Sequence, residues 1–307
     1  MGVVVVTQDL TKKFGNFIAV DRLNIQIQEG EIYGFLGPNG AGKSTAIRML
    51  CGILEPSAGT ANILGYDLRR DIEKIKSMIG YMSQKFSLYE DLTVRQNLIF
   101  YAGIYGVSPS ESKTRINEMI AMARLSGRED EYVANLSGGW KQRLALGCAI
   151  IAKPRIVFLD EPTSGVSPTS RRMFFNIIQD MAREGTTVMV TTHFMDEAER
   201  CHKIAFISEG QLIAMDTPTY LKHNTLEGYL VELEVPDPME RSTEVERLPY
   251  VRECSIHGTL LHVLLVSSDA VPELQSFTGV ESRPIIPSLE DVFLALAKKQ
   301  RDGGERN

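Results

Sequence analysis

Gly37-Pro38-Asn39-Gly40-Ala41-Gly42-Lys43-Ser44-Thr45 fits the pattern G-x-x-x-x-G-K-[ST]. Before it, Glu31-Ile32-Tyr33-Gly34-Phe35-Leu36 reads as a short buried strand, and after it Ala46 to Leu54 has the spacing of a helix. A strand, a glycine-rich turn and a helix N-terminus together make a phosphate cradle, because backbone N–H groups and the positive end of the helix dipole converge on one anion. The glycines let the backbone come close. Lys43 then reaches the outer phosphates as a point charge, and the Ser44 hydroxyl sits on the Mg²⁺ that bridges them.

Further along, Leu136-Ser137-Gly138-Gly139-Trp140-Lys141-Gln142-Arg143 opens a helix that should run to about Lys153. Ser137 is placed as its N-cap and the glycines expose backbone N–H groups, so this is a second anion-binding helix start. Ile156-Val157-Phe158-Leu159-Asp160-Glu161-Pro162 follows, four apolar residues ending in two carboxylates. The unbroken apolar run suggests a strand buried on both faces of a parallel sheet. Asp160 then emerges at the sheet's carboxyl edge and can hold Mg²⁺, and Glu161 is the expected general base for an attacking water. Thr186 to Thr192 reads as another apolar strand, with His193 at its end to contact a γ-phosphate or its water. Ile79 to Gln84 is a strand delivering Gln84. Phe14 has a face that can stack on a base; as a residue alone it reads equally as a partly buried turn aromatic.

The chain has 307 residues, more than one domain usually holds, so a large and a smaller domain are expected. Its net charge of −6, from 33 basic and 39 acidic residues, and the lack of a Lys/Arg block argue against nucleic acid as a partner. Cys51, Cys148, Cys201 and Cys254 show no metal-binding spacing and read as reduced thiols. The longest apolar runs, such as Leu144 to Ala152, fall short of the roughly 18 to 20 residues that span a bilayer, and Val3 to Val6 lacks a basic n-region before it. A soluble chain is expected.

Val3 to Leu10 and Ala19 to Gln28 read as strands, and Ala61 to Gly65 as a short one. From Lys85 to about Asn135 the pattern turns helical, with Thr93 and Gln96 as a capping box and Pro109-Ser110 opening a second helix. Ser164 to Pro168 is a loop into the helix Thr169 to Arg183. After about residue 224 the composition shifts to strands at Tyr229 to Val235, Val251 to Ile256, Leu260 to Val266 and Val280 to Ile286. A final helix, Ser288 to Lys299, is capped by Ser288 with Asp291, and no catalytic constellation stands out in this part.

These motifs, in this order, resemble the nucleotide-binding subunit of an ATP-binding cassette (ABC) transporter over residues 3 to about 222. The resemblance implies an α/β fold: a P-loop NTPase core of mixed, mainly parallel sheet with an antiparallel β subdomain and a helical insert at about 85–152, within 1–222. A small C-terminal α+β domain at 223–300 and a disordered tail at 301–307 complete the expectation. By resemblance Phe14 stacks on adenine, Gly37 to Thr45 is the Walker A loop, and Gln84 is the Q-loop glutamine that also contacts the Mg²⁺. Leu136 to Trp140 is the signature motif, Asp160 and Glu161 the Walker B pair, and His193 the switch histidine. The family pairs two such domains head to tail, so that Ser137, Gly138 and Gly139 of one chain close over the ATP held by the other.

The segments Tyr81 to Gln84, Asp91 to Leu98, Thr191 to Glu199 and Pro287 to Phe293 are similar to the exporter branch whose ATPase and permease are separate chains. The implied function is ATP hydrolysis driving efflux of a drug, lipid, glycan or ion, by a homodimer on the cytoplasmic face of the membrane, bound to an integral membrane permease. Soluble ABC ATPases of ribosomes or DNA, and import ATPases, are the alternatives; a single cassette and the acidic charge count against the former. One departure is Ser164-Gly165-Val166-Ser167-Pro168 where the family has S-G-L-D-P, which removes a loop carboxylate. Weaker coupling between the two ATP sites is expected, with hydrolysis retained through Glu161. Trp140 also replaces the commoner Gln and is expected to be tolerated.

Overall fold

In the computed structural model, which describes residues 2–85 and 87–304, the opening run extends past Leu10 into β1 (Val3–Phe14) and turns at Gly15-Asn16 into β2 (Phe17–Leu23). A separate β3 (Gln26–Gln28) follows, so the strand expected over Ala19 to Gln28 is two. The break has a local cause. Asn24 Nδ2 donates to Arg22 O at 2.8 Å and to Asp9 Oδ1 at 3.0 Å, and a side-chain bond to nearby backbone competes with the ladder.

The chain continues through β4 (Ile32–Leu36), α1 (Lys43–Leu50), β5 (Ala58–Ile63), β6 (Tyr66–Asp67), α2 (Ile72–Met78) and β7 (Ile79–Met82). The helix after the glycine-rich turn begins at Lys43, earlier than its apolar spacing suggested. Neither β6 nor α2 was legible in advance: α2 buries only Ile75, so it carries little apolar period. Next come α3 (Val94–Ile104), α4 (Pro109–Met122) and α5 (Gly138–Ile150), with a 3₁₀ turn at Val133–Asn135. The capping box at α3 forms: Thr93 Oγ1 accepts from the Gln96 N–H and Gln96 Oε1 accepts from the Thr93 N–H. Helix starts only there, and 87–92 before it is not helical.

β8 (Ile156–Asp160), α6 (Pro168–Arg183), β9 (Thr187–Thr192), the short α7 (Met195–Ala198), β10 (Lys203–Ser208) and β11 (Gln211–Asp216) follow. A six-stranded sheet runs in the order β11-β10-β4-β9-β8-β7, and every pairing from β10 to β7 is parallel. All residues of β4, β8 and β9 are buried, as a parallel sheet covered on both faces requires. Because these strands are parallel and adjacent, their carboxyl ends lie on one edge. That edge carries the glycine-rich turn, Asp160 and His193. β1, β2, β3, β5 and β6 make a second, antiparallel sheet. Phe174, Phe175 and Ile178 of α6 are fully buried, and truncating one such Phe to Ala costs about 3–5 kcal/mol.

The chain divides into two compact units, Met1–Leu212 and Ile213–Asn307, so the second begins within β11, ahead of the expected 223. The second unit holds α8 (Pro218–Asn224), β12 (Tyr229–Glu234), α9 (Pro238–Glu246), β13 (Val251–His257), β14 (Leu260–Leu265), α10 (Val271–Thr278), β15 (Ser282–Pro284) and α11 (Leu289–Gly304). Its antiparallel sheet has the order β13-β14-β12-β15, with a core of Val231, Leu233, Leu261, Val263 and Leu265 against Val245 and Leu274. α9 and α10 went unread because proline opens both, and proline suits the first turn of a helix as well as a loop. α11 runs on through Gly304, which corrects the expected tail at 301–304; 305–307 lie outside the described residues. Among the described residues the cysteines are free thiols, and burial pushes Cys201 and Cys254 up to about 12. Among them, too, no helix is long and apolar enough to cross a membrane.

Candidate functional site

The loop between β4 and α1 wraps its own lysine: Lys43 Nζ donates to the carbonyls of Gly37 at 2.8 Å and Pro38 at 2.9 Å. Two glycines make this fold possible. A Cβ on Gly37 would lie 2.2 Å from Ile207 O, and Gly42, at φ +100°, would place one 2.3 Å from Ala19 O.

The ends of β8 and β9 face this loop. Ser44 Oγ donates to Asp160 Oδ1 at 2.7 Å, and Thr191 Oγ1 donates to the same oxygen at 3.0 Å. Asp160 is fully buried, and its Oδ2 has no hydrogen-bond partner among the described residues. A buried carboxylate oxygen without a partner is costly unless something positive meets it. Asp160 and Ser44 together are hard oxygen donors of the kind that hold Mg²⁺.

Glu161 has φ +45°, a left-handed conformation that a non-glycine residue adopts at a cost of about 1–3 kcal/mol. Its N–H donates to Thr191 Oγ1 at 2.8 Å, which holds it there. Its carboxylate is the meeting point of the site. Oε1 lies 3.4 Å from Lys43 Nζ, Oε2 accepts from Gln84 Nε2 at 3.0 Å, and His193 Nδ1 lies 3.6 Å from Oε2 with no hydrogen bond to any of the described residues. Lys43, Ser44, Gln84, Asp160, Glu161 and His193 are therefore brought together from four different places in the chain.

A cavity of about 380 Å³ is lined by Asn39, Gly40, Gly42, Lys43, Ser44, Thr45, Gln84 and Glu161 and, at its rim, by Phe14 and Phe17; neither Asp160 nor His193 is part of this lining. Phe14 is 50% exposed, with Lys12 Nζ 5.2 Å over its ring, and Phe17 is 64% exposed. Phe17 escaped the sequence reading, although it pairs with Phe14 across the β1–β2 turn and the two flank Gly15-Asn16 symmetrically. A second omission is Glu197. Thr192 Oγ1 donates to its Oε2 at 2.6 Å and also accepts from the Phe194 N–H, so this carboxylate braces the turn that carries His193. Burial raises its carboxyl above the usual range, against hydrogen bonds from Thr163 and Thr192 that lower it.

Ser137, Gly138 and Gly139 do not line the cavity. Ser137 stands at the N-cap position of α5, but its exposed side chain makes no capping bond, contrary to its reading as the cap. Thr93, Ser167 and Thr217 do cap their helices. Gly139 packs against Ser170 of α6, and Gln142 Nε2 donates to Pro162 O, so the start of α5 is tied to the loop after β8. Arg128 lies 3.8 Å over the Trp140 ring, which gives the unusual residue a partner.

Against known proteins, the family described as "ABC transporter" matches residues 20–164. The "Probable multidrug ABC transporter ATP-binding protein YbhF" of Escherichia coli is 48% identical over 235 residues, 76% of this chain and 40% of that protein. The chain thus spans about two fifths of that relative's length. The "Nod factor export ATP-binding protein I" of Burkholderia thailandensis is 34% identical over 295 residues, 95% of this chain and 96% of that protein. Among solved structures, a dimeric post-hydrolysis ATP-binding cassette bound to ADP and Pi has a TM-score of 0.64 at 26% identity, covering 69% of this chain and 98% of that one. Clostridium perfringens cbiO1, part of an ABC transporter complex, has a TM-score of 0.67 at 25% identity over 81% of this chain and 97% of that one.

Proposed function

The chain belongs to the ABC transporter family of ATP-binding proteins, and from that premise we propose that it is the ATP-hydrolysing subunit of an exporter. The observation that carries the proposal is the convergence of Lys43, Gln84 and His193 on the Glu161 carboxylate, beside the phosphate loop.

In this reading the loop N–H groups and Lys43 hold the β- and γ-phosphates of ATP, while Phe14, with Phe17 beside it, offers its face to adenine. Ser44 and Asp160 hold Mg²⁺, which neutralises phosphate charge when bound. Glu161 accepts a proton from the attacking water as its oxygen bonds to the γ-phosphorus and the bond to the ADP oxygen breaks. Gln84 and His193 orient that water and the γ-phosphate. The α5 start is left to a second chain: among the described residues its N-cap Ser137 makes no side-chain capping bond, and Ser137, Gly138 and Gly139 lie outside their own chain's cavity. A head-to-tail homodimer would bring them over the γ-phosphate.

Export rather than import or ribosome work is favoured by the names of the relatives, which speak of multidrug transport and of export. On α3, Phe100 stacks edge-on against Tyr89, Ile104 one turn on is exposed, and Ile99 is exposed as well, apolar surface suited to a permease at the cytoplasmic side of the membrane. The experiment is to purify the chain from detergent-solubilised membranes of its own cell and identify what accompanies it. A polytopic membrane protein that raises the ATPase rate is the expected result; salt-resistant association with ribosomes alone would overturn the proposal.

A further inference from the structure

The second unit contains a cluster that owes nothing to the ATP site. Ser255, His262, Glu232 and Arg283 are directly opposite one another across β13, β14, β12 and β15, so they form one row on one face of the sheet. His257, two residues along β13, shares that face, and its ring lies 3.9 Å from that of His262. The first turn of α11 brings Asp291 onto the same face, 4% exposed.

His262 Nδ1 faces both oxygens of Asp291, Oδ1 at 3.0 Å and Oδ2 at 3.2 Å, and their other neighbours differ. Oδ2 accepts from the Ser288 N–H at 2.8 Å and its hydroxyl at 2.7 Å. Oδ1 faces His262 Nδ1 at 3.0 Å, Ser255 Oγ at 3.2 Å and His257 Nε2 at 3.3 Å. On the far side of the His262 ring, Nε2 lies 3.4 Å from Glu232 Oε2, and Arg283 Nε holds Glu232 Oε1 at 2.6 Å.

We propose that His257, His262 and Asp291 form a binding site for a first-row divalent transition metal such as Zn²⁺, within the C-terminal unit. The spacing suits it. Metal–ligand bonds of about 2.0–2.1 Å in a tetrahedral arrangement put neighbouring ligand atoms roughly 3.3 Å apart, and the three candidate ligand atoms all lie within 4.8 Å of one another. The polarity suits it as well. With Nε2–H donated to Glu232, the Nδ1 lone pair of His262 faces Asp291 and is open to a metal; with both nitrogens protonated, the ring bridges the two carboxylates as an imidazolium, and the metal titration separates the two states. A ligating histidine commonly donates its other ring N–H to a carboxylate in this way. Two nitrogens and one carboxylate oxygen, with a position left for water, is a set for borderline divalent ions rather than for Ca²⁺ or Mg²⁺. The rings now stack at 18°, so their in-plane lone pairs are side by side. Capture therefore turns the His257 ring, which is 23% exposed at the end of its strand beside Gly258. The bound ion ties α11 to the β13–β14 hairpin.

The test is titration of the full chain, freed of metal by chelator and dialysis, with Co²⁺ followed by its visible ligand-field bands, then with Zn²⁺ as competitor. The expected result is one saturable Co²⁺ per chain, displaced by Zn²⁺ and retained in Asp160→Asn, which alters only the phosphate-loop site. His257→Ala and His262→Ala should weaken binding at least tenfold, and Glu232→Gln, which removes no ligand, roughly 10–100-fold. If His262→Ala fails to fold, the more exposed His257→Ala decides. Absence of ligand-field bands in the folded wild type, as for a simple imidazolium–carboxylate cluster, or equal binding by His257→Ala, would overturn the proposal.

Discussion

Lys43 Nζ lies 3.4 Å from Glu161 Oε1, with the two side chains only 3% and 8% exposed. The cation proposed to hold phosphate and the carboxylate proposed to take a proton from water are thus a buried pair, and removing either leaves the other poorly compensated.

This pairing separates binding from chemistry. Glu161→Gln keeps the side-chain volume and removes the base, so ATP affinity should hold while kcat falls about 10²–10⁴-fold. Lys43→Ala removes charge-assisted contacts worth about 1.5–3 kcal/mol and should weaken ATP binding roughly tenfold to a hundredfold. Calorimetric ATP binding and phosphate release measured on both variants check this, and wild-type turnover by Glu161→Gln would refute the assigned base.

Ser167 caps α6, its Oγ accepting from the Ser170 N–H at 3.3 Å. Aspartate caps helices about as well as serine, so Ser167→Asp should leave stability within about 0.5 kcal/mol. Any change in the ATP dependence of hydrolysis then reports on the restored charge. A higher Hill coefficient is expected; an unchanged coefficient and rate would sink the idea that this loop loosens the coupling of the two sites.

The aromatic rim predicts unequal losses. Phe14→Ala should raise the dissociation constant for ATP by an amount equivalent to about 1–3 kcal/mol, the usual worth of stacking on a base. Phe17→Ala, at the more exposed position, should cost less. Competition with a fluorescent ATP analogue measures both, and equal affinity in Phe14→Ala would remove it from the site.

Glu197 gives a pH signature. Its carboxyl is raised by burial above 4.5, so its contribution to stability is fully present below that value and is lost as pH rises through the higher folded value. Glu197→Gln never ionises and should be the more stable protein at pH 7, with the difference closing as pH falls below 4.5. Denaturant melts at pH 7 and pH 4 test it; a destabilised variant at pH 7 would show that the charge is needed to brace the His193 turn.

Much of this architecture lies in local pattern. The run Ile156 to Leu159 announced a strand buried on both faces, because a parallel sheet leaves no wet face to alternate with. Thr93 with Gln96, and Ser288 with Asp291, announced helix starts, because a cap satisfies N–H groups only a few residues away. The glycine-rich turn announced a loop that wraps its own lysine, since its glycines and Lys43 lie within one short stretch. Proline-led α9 and α10 and the nearly period-free α2 stayed silent for the same reason in reverse: they carry no local signal that a loop could not also carry.

By itself, then, the sequence determined that the core is an α/β sheet and that a glycine-rich turn ending in Lys43 and Ser44 joins a buried strand to a helix, because strand burial and loop backbone are set by neighbours along the chain. Only the tertiary structure decided that Ser44 meets Asp160 across 116 positions, that Phe17 stands beside Phe14 at the rim, and that Glu197 lies under the His193 turn. It also placed His257, His262 and Asp291 around one point. Sheet order and helix docking place these residues, and neither leaves a period in the sequence, because each is settled by how whole elements bury their faces against one another.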